Sequence, residues 1–204
     1  MIYLFDDISS FTAQDLALGL ASVGGQRREH ALRFRFNKDR KLSVIAYLLL
    51  MYGLEREYGI TEPQEFCISE KGKPSFINHP DIFFNISHCN KAVVCAINDN
   101  PVGIDVEEFS HYSVELSQQV HNTAENEAIA AFLHPEEEFC RLWTVKEAIL
   151  KITGIGLVDD TRPLLTQYPD IVLHSQIYSS KGYAMSYALY SPQEIPILQV
   201  NALF

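Results

Sequence analysis

PEEEFCRLWTVKEAILKIT, residues 135–153, reads as a single helix with both of its ends marked. Proline suits a first helical turn, where its missing N–H is no loss, and Glu136, Glu137 and Glu138 complement the positive end of the helix dipole. Gly154 is a natural stop, because glycine readily enters the left-handed conformation that ends helices. Upstream, VGIDVE (102–107) has strand character, and downstream IVLHSQIYS, YAMSYALY and PILQVNAL alternate well enough to be strands of the same half. A further helical run spans about Thr123 to Leu133.

Toward the N-terminus, residues 1–6 alternate loosely as a strand. Arg27 to Arg56 then reads as one helix, with Ala31, Phe34, Leu42, Ile45, Ala46, Leu49, Leu50 and Leu54 recurring near a 3.6-residue period. From Phe66 to Ile97 the pattern changes to short strand-like runs, FCI, FFNIS and KAVVCAI, broken by the turn-rich segments KGKP, NHPD and HCN. NDNP (98–101) is the strongest mid-chain punctuation and divides the chain into expected halves, 1–100 and 101–204. No internal repeat or low-complexity segment is visible.

Composition bounds the function. The 204 residues carry 16 Lys and Arg against 26 Asp and Glu, a formal charge of −10, which argues against a general nucleic-acid binder because polyphosphate is held by clustered cations. At 47% hydrophobic and 21% charged the chain is expected to bury a proper core. Cys67, Cys89, Cys95 and Cys140 show neither a CxxC pair nor zinc-site spacing, so free thiols in a reducing compartment are expected. The opening MIYLFDDISS has no basic segment ahead of its apolar residues, and the longest apolar stretch, Leu42 to Leu54, falls short of the roughly 20 residues that cross a bilayer. The expectation is a cytoplasmic protein without a membrane partner. Seven of the sixteen cations lie between Arg27 and Lys41, which is either a solvated helix face or a phosphate site.

Three constellations carry chemistry. In GIDVE (103–107) Asp105 and Glu107 share one strand face about 6.5 Å apart, so their oxygens can converge on one cation, although a solvated acidic face would read the same. In WTVKEAILK (143–151) Glu147 and Lys151 project from one side of the helix while Lys146 points about 100° away; this is either a surface ion pair or an acid for a metal beside a cation for a phosphate. In FNISH (84–88), with KGKP just upstream, polar side chains gather at a strand end. Ser87 and His88 are adjacent strand residues on opposite faces and are badly placed as nucleophile and base, and no nucleophile-elbow spacing is present.

In order, GKP (72–74), FNISH, GIDVE and WTVKEAILKITGIGL (143–157) resemble the 4'-phosphopantetheinyl transferases of the Sfp type. The resemblance runs from around Arg27 to Leu157. It implies an α+β fold of two similar halves related by a pseudo-twofold, each a small antiparallel sheet packed on a helix, with the ligand cleft between them. It implies a monomer that moves the 4'-phosphopantetheine arm of coenzyme A to a serine of an acyl or peptidyl carrier protein and releases adenosine 3',5'-bisphosphate. By resemblance Asp105, Glu107 and Glu147 are Mg2+ ligands, and Lys151 lies over the pyrophosphate. Lys146, Ser87 and His88 contact phosphates of coenzyme A, with His88 on the 3'-phosphate, and Lys73 lies near the adenine. Glu125 in NTAEN aligns with an acidic residue expected as the base or as a water-mediated metal contact, with Glu147 as the other candidate base. Arg27 fits the family's 3'-phosphate clamp; a second arginine expected just after Asp39 and Arg40 is Leu42 here, which leaves Arg40 or Lys41 to substitute.

The acidic carriers of this family would have to dock on so acidic a chain through apolar contacts and a local basic patch, without net attraction. Two other readings compete: a non-catalytic coenzyme A-binding or carrier-interaction module of the same fold, and an unrelated Mg2+-dependent nucleotide enzyme. Against the latter, the chain has no GxxxxGK[ST] loop.

Overall fold

The computed structural model describes residues 1–109 and 112–204. Its elements run β1 (Ile2–Phe5), α1 (Ala13–Ser22), α2 (Gly25–Arg33), α3 (Asn37–Tyr58), β2 (Phe66–Ile68), β3 (Pro74–Phe76), β4 (Phe83–His88), β5 (Val93–Asn98) and β6 (Val102–Glu108), then α4 (Val114–Val120), α5 (Thr123–Ala131), α6 (Pro135–Thr153), α7 (Leu164–Gln167), β7 (Val172–Tyr178), β8 (Tyr183–Leu189) and β9 (Ile197–Gln199). They form a mixed α+β fold of four layers. Alternation of side chains along each strand explains how.

Tyr3, Phe5, Val93, Cys95 and Ile97 point one way from the sheet β4-β5-β1-β9 and pack under Ile45, Leu49 and Leu50 of α3. Ile2, Leu4, Val94 and Ala96 point the other way and meet Ile104, Val106, Met185 and Tyr187 of the second sheet, β6-β8-β7. The far face of that second sheet carries small residues such as Ala188, against which Val145, Ala148, Ile149 and Ile152 of α6 pack. Each sheet is therefore covered outside by its own long helix and inside by the other sheet. This is why β5 reads as an unbroken apolar run and not as an alternating one. A hairpin, β2-β3, pairs with neither sheet and packs on the first through Phe66 and Phe76 against Phe84.

α6 has the predicted bounds, with Pro135 at its start and Gly154 left-handed (φ 67°) at its end. Elsewhere the sequence reading needs correction. The helix expected from Arg27 to Arg56 is two, because the backbone is extended at Phe34 and Phe36 and Arg40 Nε donates to the Phe34 carbonyl at 2.8 Å. α1, closed by a Thr12–Asp15 capping box, and α4 were not anticipated. PILQVNAL supplies no strand to the second half: β9 pairs parallel with β1, and Val200 N and Ile2 N close the junction on Leu4 O and Pro196 O. The exposed side of β1 needed a partner, and the end of the chain provides it. The four cysteines are free. No described helix is long and apolar enough to cross a membrane.

Candidate active site

The site begins with Gly103. A Cβ there would stand 2.1 Å from the Ala148 carbonyl oxygen and 2.6 Å from Ile152 N, so only glycine lets β6 lie this close to α6. Because Ile104 and Val106 are committed to the inter-sheet core, Asp105 and Glu107 share the face of Gly103 and are turned toward α6, the helix of Glu147 and Lys151.

Asp105 is buried, and its Oδ1 accepts from Lys151 Nζ at 2.6 Å and from Ser87 Oγ at 2.7 Å. Its Oδ2 is buried with no hydrogen-bond partner. Burial and the neighbouring Asp105 push Glu107 up to about 7, with Glu147 adding to the effect. Burial and Asp105 likewise hold Glu147 above the usual carboxylate range. Among the described residues no three His, Cys, Asp or Glu side chains form a ready-made metal cage. The donor set nonetheless fits Mg2+, which is held by one or two carboxylates with phosphate and water completing its shell, and the orphaned Asp105 Oδ2 and the mutual repulsion of these acids both call for a cation.

FNISH forms the seam to this face. Asn85 Oδ1 accepts from Ile104 N at 2.8 Å, one residue before the Ser87–Asp105 bond is reached. Ser87 is thus engaged with the carboxylate. His88, exposed at the strand end, is held below the ordinary histidine value by loss of surrounding water and by the Lys151 ammonium.

His88 lines a basin of about 490 Å³ together with Arg27, His30, Arg33, Tyr47 and Phe84. Arg27 is held over the Tyr47 ring and donates to Ser43 Oγ at 3.0 Å. Arg33 belongs to the basic run that the sequence marked as a candidate phosphate site, whereas His30 was passed over; its position three residues after Arg27 on one helix was the signal. Arg40, tied to Phe34 O and Asn37, is not among its lining residues. Lys73 Nζ is spent on the last carbonyls of α6, Lys151 O at 2.6 Å and Ile152 O at 3.0 Å, which pins the β2-β3 hairpin to that helix end. Between hairpin and helix lies a groove of about 310 Å³ lined by Lys71, Lys73, Asn85, Glu147 and Lys151.

Glu125 and Lys146 are brought to each other and away from this groove. Lys146 is fully buried, its Nζ donating to Glu125 Oε2 at 2.6 Å and to Val120 O at 2.8 Å, so the phosphate contact expected of it is not presented. Glu125 also forms a capping box with Asn122 at the start of α5, and its Oε2 accepts from His121 Nδ1 at 3.2 Å. Burial alone would raise its pKa, but bonds from His121, Lys146 and Asn122 N outweigh that and hold it below the ordinary value.

The profile of the 4'-phosphopantetheinyl transferase superfamily matches residues 101–188, and that of the 4'-phosphopantetheinyl transferase N-terminal region matches residues 10–100. The chain is 31% identical over 142 residues to a 4'-phosphopantetheinyl transferase of Bacillus subtilis, covering 68% of this chain and 63% of that one. It is 35% identical over 144 residues to the 4'-phosphopantetheinyl transferase gsp of Aneurinibacillus migulanus, covering 67% and 58%. To the 4'-phosphopantetheinyl transferase AcpT of Escherichia coli O157:H7 it is 32% identical over 155 residues, covering 72% and 70%. The matched region spans less than two thirds of the Bacillus relatives' length. Two matched profiles in tandem, and a relative matched over most of both chains, place this chain in the 4'-phosphopantetheinyl transferase family, of the Sfp type.

Proposed function

We propose that this chain transfers the 4'-phosphopantetheine arm of coenzyme A to a serine hydroxyl of an acyl or peptidyl carrier protein, releasing adenosine 3',5'-bisphosphate, as a cytoplasmic monomer. The observation that carries the reading is Asp105: a buried carboxylate with one oxygen orphaned and the other on Lys151, beside two acids whose proton affinity its charge raises. Residues 1–100 and 101–204 act as the two halves, related by a pseudo-twofold and sharing the cleft, with β9 as a strand lent back to the first.

Coenzyme A would lie with its 3'-phosphate and adenine in the basin of Arg27, Arg33 and His88, and its pyrophosphate in the groove over Lys151. Asp105, Glu107 and Glu147 would hold Mg2+. The chemistry that Mg2+ would supply there is neutralisation of pyrophosphate charge, the main demand of phosphoryl transfer. Lys151 adds a second positive charge on the same face and pairs with Asp105 Oδ1 at 2.6 Å. Of the two candidate bases, Glu147 lines the groove and has a raised proton affinity closer to working pH, whereas Glu125 is committed to Lys146.

The test is mass spectrometry of apo carrier proteins of the fatty-acid, polyketide and nonribosomal-peptide classes, incubated with the protein, coenzyme A and Mg2+. The expected result is a gain of one phosphopantetheine that is abolished by EDTA and by Asp105→Ala. Absence of any gain while coenzyme A still binds would leave only the non-catalytic module.

A further inference from the structure

α6 ends against the β2-β3 hairpin, which belongs to the other half of the chain. Leu150 O accepts from Gly154 N at 2.9 Å, and the two carbonyls after it, Lys151 O and Ile152 O, accept from Lys73 Nζ at 2.6 and 3.0 Å. A cation suits this place, because the end of a helix carries partial negative charge on carbonyls that have no partner within the helix. Burial, unopposed by any acid, holds the Lys73 ammonium below the ordinary lysine value.

Both sides of this joint are shaped for it. Lys73 N donates to Ser69 Oγ at 3.0 Å and Lys73 O accepts from Ser69 N at 3.0 Å, so the turn that carries the lysine is itself closed. Opposite, Gly154 is left-handed, and a Cβ there would come within 3.2 Å of Lys73 Cδ; the chain leaving α6 is bare where the lysine stem crosses it. The hairpin is also a shared wall. Gly72 and Pro74 line both the basin of Arg27 and His88 and the groove of Glu147 and Lys151. One ammonium therefore ties the wall common to both cavities to the backbone of Lys151, whose own side chain donates to Asp105 Oδ1 at 2.6 Å.

We infer that Lys73 is a positioning residue for the transfer and acts through Lys151. Its ammonium caps the last turn of α6, which keeps Lys151 Nζ on the face of Asp105 and keeps the hairpin against the groove. The inference rests on the transferase reading and adds to it a lysine whose charge works on the protein. Without that charge the last turn of α6 turns its carbonyls to water, and Lys151 and the shared wall lose their fixed places together. Misplacement of a reacting group by about 1 Å can cost on the order of a hundredfold in rate, and a helix end that still visits the right position costs less.

The test compares Lys73→Met, Lys73→Arg, Lys151→Met and the double variant Lys73→Met with Lys151→Met, using coenzyme A and an apo carrier. Steady-state kinetics are joined by single-turnover mass gain, so that slow variants are read, and by hydrogen exchange on the unliganded proteins. Lys73→Met is expected to lower kcat roughly tenfold while KM for coenzyme A changes by less than about threefold. Lys73→Arg should recover most of kcat, since a guanidinium also spans two carbonyls. The double variant should be within about twofold of Lys151→Met alone, because the two losses share one cause. In Lys73→Met the amides at the end of α6 and in β2-β3 should exchange faster together, with β6 and β8 unchanged. If Lys73→Met does not fold, Lys73→Gln, which keeps a donor, is measured in its place. A raised KM with kcat kept, losses that multiply in the double variant, or unchanged exchange at the end of α6 each overturns the positioning inference and leaves the transferase reading standing. Absence of transfer by the unaltered protein to every carrier overturns both.

Discussion

Ser87 Oγ, on a strand of the N-terminal half, donates to Asp105 Oδ1 on a strand of the C-terminal half at 2.7 Å, and both side chains are buried. The bond orients the carboxylate that Lys151 also holds. Ser87→Ala is expected to lower unfolding stability by about 1.5–3 kcal/mol, as for a lost bond to a charged group, and to lower kcat more than it raises the KM for coenzyme A. Urea denaturation and steady-state kinetics check both. A purely phosphate-binding serine would raise KM and leave stability unchanged.

Lys146→Met should be among the most destabilising single changes in the molecule. It strands the Glu125 carboxylate in a buried setting, a loss of about 3–5 kcal/mol, whereas Lys146→Met combined with Glu125→Leu should recover much of it because neither charge is then left alone. The pair also sets an acid limit. Glu125 has a folded-state pKa below its unfolded value, so its contribution is present above the ordinary carboxylate range and is lost as pH falls through the folded value. In Glu125→Gln that portion of the acid-unfolding curve should flatten, which a pH series of thermal melts would show.

Gly103→Ala places a methyl against backbone atoms of α6, which cannot rotate away as a side chain can. The expected cost is about 1–3 kcal/mol or more, with α6 shifted from β6 and activity reduced in step. A denaturation midpoint equal to that of the unaltered protein would show that the helix slides to accommodate it.

Glu107 gives the opposite pH sense from Glu125. Its folded-state pKa, about 7, lies above the unfolded value, so metal-free protein holds this proton while the unfolded chain has released it, and stability declines as pH rises from the ordinary carboxylate range to about 7. A cation favours the ionised form. Added Mg2+ is therefore expected to raise Tm more above that pKa than below it, with EDTA removing the gain and Glu107→Gln reducing its pH dependence.

What could be read in the sequence was what neighbours along the chain decide. α6 announced itself through Pro135, three glutamates in its first turn and Gly154, and β6 through period-two alternation that put Asp105 and Glu107 on one face. The 100° offset of Lys146 from Glu147 also holds, and it takes Lys146 to Glu125. What escaped was set by distant partners. β9 is parallel to β1 because of hydrogen bonds to a strand from the opposite end of the chain, and Lys73 ends on α6 carbonyls that no local pattern predicts. The break at Phe34 to Phe36 lies inside a run whose apolar period continues across it, and a side chain, Arg40, takes over the Phe34 carbonyl.

The pairing of β9 with β1 orders events in time as well as in space. During synthesis the first strand of the chain emerges earliest, yet its outer edge is left open until every other strand of both sheets has been made. The N-terminal half thus spends nascent life with an unpaired edge, the kind of exposure on which wrong associations start. A protein released without residues 197–204 would keep β6, β8 and α6 while its first sheet stays unclosed, so removal of the last strand should be felt at β1.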